Sequence, residues 1–290
     1  MEFCNFSDDE IKSINRALTF IGKNEVDLGR VSGRTSVVKT DNFENECRQL
    51  AHYYPHLGLE SAGARLVFNT GKAGDHKILL NQDGLDTLSS IHALVTELVH
   101  LGNLSQYNDD HGNIYRLETE QAIAAHYYEF LLWSQFFAMK IATRAHALAA
   151  WHEVNGEAPP VDGRYRFAQI TFPTEGIMMA LTKAQQAEDL SAWRVGYWDL
   201  LEELGRYFGR LAFYQQEPCP AELDEQFPSE LIRETVGLDN CLAFYGTLLR
   251  ARDYPAWQAE KHTLRRFIVA MHEQGKGKFS TETGPSTWLC

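Results

Sequence analysis

The sequence predicts an α+β fold that is predominantly α-helical, with a small N-terminal sheet or hairpin and a helical C-terminal half. Two strand-like runs between residues 64 and 80, with glycines between them, supply the β part. Several long segments that repeat apolar residues at helical spacing supply the rest. Asn155-Gly156-Glu157-Ala158-Pro159-Pro160 is the strongest punctuation and divides the chain. The expected regions are therefore 1–155, α+β; 164–275, helical; and 276–290, a tail rich in Gly, Ser and Thr that is expected to be loose.

In order along the chain, Ser7 and Glu10 form a capping box, and Ile11, Ile14, Leu18 and Ile21 follow on one helical face. A helix over 8–22 results. Residues 23–40 read as loop with a short strand at Thr35-Ser36-Val37-Val38, and a helix over 42–54 stops before Pro55. Ala64 to Phe68 and His76 to Leu80 are strand-like runs, with turn chemistry from Gly71 and Gly74 between them, which predicts a hairpin. Asp86 or Thr87 caps the next helix, whose Leu88, Ile91, Leu94, Val95, Leu98, Val99 and Leu101 carry it to Gly102 or a turn later. Ser105 to Asn113 reads as a polar loop. A long helix over 117–154 is apolar around much of its circumference, the pattern of a buried central helix. Tyr165 to Phe172 reads as a strand, and helices follow near 174–187, 190–215, 229–251 and 255–274.

Composition narrows the function classes. The 39 acidic and 27 basic residues leave a formal charge of −12, which opposes nonspecific attraction to nucleic acid or to an anionic membrane. The five cysteines are scattered and contain no CxxC pair, so neither a disulfide scaffold nor a cysteine zinc site is expected, and a reducing compartment fits. The start of the chain has neither a basic leader nor an apolar signal core. The most apolar run, Phe130 to Ala142, contains Ser134, Gln135 and Lys140 and is too short to span a bilayer. The expected location is the cytoplasm.

The stretch that carries chemistry is Thr96-Glu97-Leu98-Val99-His100. In H-E-x-x-H zinc hydrolases two histidines four residues apart share a helical face and bind Zn²⁺, while the intervening Glu activates a bound water. Here Glu97 stands where the base belongs and His100 where the second ligand belongs. Thr96 stands in the first ligand position, and threonine lacks the strong neutral nitrogen of an imidazole. Glu120, with Glu118 beside it, lies about twenty residues past His100, where a third ligand is common.

On these residues, over roughly 60–130, the chain resembles the gluzincin metallopeptidases, with a degenerate motif. The resemblance implies a zincin-like helix pair beside the sheet, His100 and Glu120 as zinc ligands, and Glu97 as general base. His92 shares the face of His100 but lies about 12 Å away along the axis, too far for one ion. His111 or His126 would have to replace the missing imidazole, and His126 lies one turn from Glu129. The implied function is a metal-dependent, peptidase-like hydrolase with an altered zinc ligand set. The alternative is a metal-free, non-catalytic helical protein on a degenerate metallopeptidase core, binding a protein, peptide or ligand through its C-terminal helices. A second alternative is a di-iron carboxylate bundle, which needs two E-x-x-H motifs where this chain has Glu97-His100 alone.

Other features have structural readings beside functional ones. Tyr127, Tyr128, Phe130, Trp133, Phe136 and Phe137, with Trp193, Tyr197, Trp198, Tyr207, Phe208 and Phe213, suit a helical core better than a ligand cavity. Arg144 and Arg164 suit an anion site, and His146 and His152 a polar network at a helix end. No G-x-S-x-G elbow, P-loop or dinucleotide fingerprint occurs.

Overall fold

A computed structural model describes residues 1–22, 25–51, 63–69, 75–112, 126–157, 173–215 and 226–279. The fold is α+β and predominantly helical, with one four-stranded sheet near the N-terminus. The chain forms two compact units. The first comprises residues 1–118 and 137–168, and the second 119–136 and 169–290.

In the first unit the strands are β1 (Glu2–Cys4), β2 (Thr35–Thr40), β3 (Ala64–Val67) and β4 (His76–Asn81), ordered β1-β2-β4-β3. β3 and β4 are antiparallel, as expected of the two strands of a hairpin, with Leu66 opposite Ile78. β2 lies on the other edge of β4, in parallel, with Val37 opposite Ile78, and β1 adds in parallel to β2. Val37, Ile78, Leu79 and Leu80 are fully buried, which makes β2 and β4 the centre of the sheet. β1 has three residues, too few to show a period in sequence.

Helix α1 (Asp8–Leu18) begins at the expected capping box. The Glu10 amide donates to Ser7 Oγ at 3.3 Å and the Ser7 amide donates to Glu10 Oε2 at 2.9 Å. Ile14 and Ala17 are its buried face. α2 (Leu28–Ser32) and α3 (Phe43–Ala51) follow. α4 (Thr87–His111) is N-capped by Asp86, whose Oδ1 accepts from the Ser89 amide at 2.7 Å. It does not stop near Gly102; it continues through the expected loop to His111 and ends at Gly112, whose φ is 84°. The extension has a packing cause. Leu104 and Tyr107 are buried, and a Cβ at Gly102 would lie 3.3 Å from Val26. Ser105, polar in sequence, donates its hydroxyl to the Leu101 carbonyl at 2.8 Å and so stays within the helix.

α5 (Tyr127–Asn155) follows His126, which holds a left-handed φ of 67°. The helix begins in the second unit and, from Phe137, belongs to the first. In its first-unit part Arg144 pairs with Glu25 and also donates to the Phe20 carbonyl at 3.0 Å. An anion site at Arg144 is thereby disfavoured, since its guanidinium is already engaged; Arg164 lies outside the described residues. His152 Nδ1 accepts from Arg16 at 3.1 Å, in line with a polar network.

The second unit holds α6 (Glu175–Gln185), α7 (Leu190–Tyr214), α8 (Ser229–Thr235), α9 (Leu238–Arg250), α10 (Tyr254–Gly275) and a 3₁₀ turn (Lys276–Phe279). The single helix expected over 229–251 is two. The amides of Val236 and Gly237 both donate to the Ile232 carbonyl at 2.9 Å, and Gly237 turns left-handed (φ 86°), ending α8 before α9. Phe130, Trp133, Tyr254 and Trp257 pack together, and the Trp133 indole donates to the Ala251 carbonyl at 2.6 Å. Most of the aromatic series is thus core, as its spacing suggests. α6 and α7 meet so closely at Gly196 that a Cβ there would lie 2.7 Å from the Ala184 nitrogen. The strand expected over 165–172 and the tail beyond Phe279 lie outside the described residues. Among those described, no helix is long and apolar enough to cross a membrane.

Candidate functional site

Among the described residues, two places that hold chemistry-bearing side chains stand out, one in each unit. In the first, α4 packs on β3 and β4 and carries Thr96, Glu97 and His100, all completely buried. The Thr96 hydroxyl donates to the His92 carbonyl at 2.9 Å, so it bonds back onto the preceding turn of its own helix. Arg65, buried on β3, donates to the Cys47 carbonyl at 2.7 Å. Burial pushes the Cys47 thiol up; the Arg65 guanidinium works against this, and the Glu46 and Glu97 carboxylates add to it. Glu97 is therefore within electrostatic reach of the Arg65–Cys47 pair. His92 meets His146 edge to face at 6.0 Å, and burial lowers the His146 pKa, opposed by Asp86.

Glu118 and Glu120, the carboxylates of the expected ligand set, lie outside the described residues. His126 belongs to the second unit, whereas Glu97 and His100 belong to the first. Among the described residues no group of three or more His, Cys, Asp or Glu is placed to hold a metal ion. Of the zinc ligands the resemblance implies, His100 lies in the described part of the first unit and Glu120 outside the described residues, while Glu97 is the implied base rather than a ligand.

The second place is a cavity of about 370 Å³ in the helical unit. Its wall is built by helix periodicity. Ser191, Arg194, Val195 and Trp198 recur at i, i+3, i+4 and i+7 on α7 and share a face with Tyr197 beside them. Ile268 and His272, four apart, come from α10, and Tyr128 and Glu129 from the first turn of α5. Val195 is 51% exposed, so the rim of the cavity faces solvent, while Glu129 is fully buried.

The polar groups of this wall are held in place from behind. Arg265 Nε donates to Glu129 Oε1 at 2.5 Å and Nη2 to Oε2 at 3.3 Å. His126 Nδ1 stands 3.7 Å from Oε2, and its ring meets His262 edge to face at 4.5 Å. Asp199 pairs with Lys183 at 2.6 Å. The Tyr197 hydroxyl donates to the Ile268 carbonyl at 2.5 Å, and burial raises its pKa well above the ordinary range. The Trp198 indole donates to Glu202 Oε1 at 2.8 Å. Burial lowers the His272 pKa, against a smaller opposing effect of Glu273, which keeps the imidazole neutral near pH 7. Tyr128 packs edge to face on Trp198 at 4.8 Å.

Sequence reasoning singled out Tyr128, Tyr197, Trp198 and Glu129 but did not bring them together, and it missed Arg194, Ile268 and His272. The available signal was the 191–194–195–198 stripe, in which a valine shares a face with an arginine and a tryptophan. Comparison with protein-family models, with curated proteins and with solved structures returns no match to this chain.

Proposed function

We propose that the chain is a binding protein that takes a small, largely apolar molecule into the cavity formed by α5, α7 and α10. The observation that carries this reading is the cavity itself. A volume of about 370 Å³ falls in the range of small-molecule sites, and its wall joins aromatic and aliphatic side chains with a few fixed polar groups. The α6–α7 contact and the Trp133–Trp257 core hold the walls without a ligand. The acidic balance of the chain and its scattered cysteines support a cytoplasmic protein that binds neither nucleic acid nor a membrane surface.

Titration with the neutral fluorophore N-phenyl-1-naphthylamine tests the reading. One saturable site per chain is expected, weakened at least about tenfold by Ser191→Trp, which places an indole at the exposed rim. Absence of saturable binding, or binding indifferent to Ser191→Trp, would overturn it.

A second reading, metal-dependent hydrolysis on a gluzincin-like core, is supported by Glu97 and His100, one turn apart on α4 and both completely buried. It requires further donors, of which Glu120 is the one that the resemblance supplies. Elemental analysis of the purified chain decides it: one zinc per chain, lost in His100→Ala, is expected. Iron in its place would favour the di-iron alternative, and neither metal after incubation would end both.

A further inference from the structure

We infer that the ligand of the helical-unit cavity is an aromatic or aliphatic acid, with its body against the wall and its carboxylate on Arg194. The inference rests on the cavity reading above and adds the chemical class of the ligand. Arg194 is the cation among the described wall residues, and it shares one face of α7 with Ser191, Val195 and Trp198. The residue is half-buried and its Nε is covered, so its charge is screened less than that of a surface arginine. Burial above all, with Lys276 and Arg194 in support, lowers the His272 pKa, so the guanidinium is within electrostatic reach of the α10 wall. A guanidinium carries several donors in a rigid fork and can grip a carboxylate through two parallel bonds while its other contacts persist.

The other charges of the wall do little to oppose an entering anion. Glu129 is fully buried and Arg265 donates to both its oxygens, so that negative charge is met within the protein. Asp199 pairs with Lys183 at 2.6 Å, and both side chains are open to solvent, which screens them. His272 adds no charge near pH 7. The remaining wall suits the body of the acid: Tyr128 packs edge to face on Trp198, and Val195 and Ile268 supply aliphatic surface. An ammonium in the same place would meet Arg194 as a like charge.

The test uses the full chain and three probes of nearly equal shape, 3-phenylpropionate, 3-phenylpropionamide and 3-phenylpropylamine, followed by calorimetry or by displacement of the neutral fluorophore. The acid is expected to bind about tenfold more tightly than the amide, with the amine weakest. Arg194→Gln is expected to bring the acid to the level of the amide and to leave the amide within about twofold of the parent. Arg194→Lys, which keeps the charge but not the fork, is expected to retain part of the preference. Both variants are expected to keep the fluorophore, so that loss of the acid alone is the readout. Equal affinities for acid and amide, a tightest amine, or an acid preference that survives Arg194→Gln would overturn the acid assignment while leaving the cavity reading in place. So would binding of the neutral fluorophore with none of the three probes. Failure of all four ligands would instead overturn the cavity reading beneath it.

Discussion

Arg265 on α10 grips Glu129 on α5 through two nitrogens, and the carboxylate it holds has no exposure to solvent. Removing the cation leaves a buried charge without compensation, which is the costly way to break an ion pair. Arg265→Leu is expected to destabilise the chain by about 3 kcal/mol, at the lower end of the usual range because Arg265 itself is 22% exposed. The double variant Glu129→Leu/Arg265→Leu is expected to recover most of that loss. Urea unfolding of the three proteins measures both, and a double variant no better than the single one would refute the account.

Two glycines of α7 make a paired prediction of opposite sign. At Gly196 an added Cβ meets backbone nitrogen at 2.7 Å, and backbone cannot yield as a side chain can. Gly196→Ala is therefore expected to cost about 1–3 kcal/mol. At Gly205 the nearest atom is 3.6 Å away, an ordinary contact, so Gly205→Ala gains helix propensity without strain. It is expected to stabilise by up to about 1 kcal/mol. Thermal melts of the two variants would show shifts in opposite directions.

Glu10 links the first helix to the sheet and confers a pH dependence. Its carboxylate accepts from Lys39 at 2.5 Å and from the Ser7 amide, and these bonds, that from Lys39 first, hold its pKa down at about 2. A depressed carboxylate pKa stabilises the fold fully above the unfolded value and loses that contribution as pH falls toward the folded one. The window is thus from 4.5 down to about 2. Glu10→Gln keeps a side chain able to complete the capping box but removes the charge. The variant is expected to be less stable than the parent at pH 7 and to converge with it as the pH approaches 2. A difference between the two that does not vary with pH would contradict this.

Cysteine reactivity offers a separate check on the core. Cys241 is completely buried, and burial alone pushes its thiol far up. Cys4 and Cys47 are half-buried. Brief treatment with iodoacetamide at pH 8, followed by peptide mass spectrometry, is expected to label Cys4 and Cys47 before Cys241. Cys241 should become labelled only as denaturant unfolds the chain.

Helices with strong end signals were legible in the sequence. The Ser7–Glu10 box and the cap at Asp86 each stand where a helix begins. The errors arose where a tertiary neighbour overrode a local signal. Gly102 reads as a stop in isolation, but against Val26 it is the residue that allows α4 to pass. Val236-Gly237 reads as a tolerated glycine within a helix, yet Gly237 turns left-handed and divides it. Parallel pairing of β2 with β4 joins residues about forty apart, a separation that alternation within a strand does not encode. The α4 pair Glu97 and His100 was visible as a motif, whereas the cavity was not. Period identifies Ser191, Arg194, Val195 and Trp198 as one face of α7, but it cannot tell whether a neighbouring helix covers that face or leaves a space beside it.

Helix α5 gives the chain an interleaved plan. Residues 119–136 are counted with the second unit although the sequence on both sides of them, through 118 and from 137 to 168, belongs to the first. No single cut therefore separates the two units from each other. A stop codon after the Asn155–Pro160 punctuation, where the sequence invites one to divide the gene, would strand Tyr128 and Glu129 apart from Trp198 and His272 and leave the cavity with one wall. The unit of inheritance for this cavity is the uninterrupted reading frame from Tyr128 to His272.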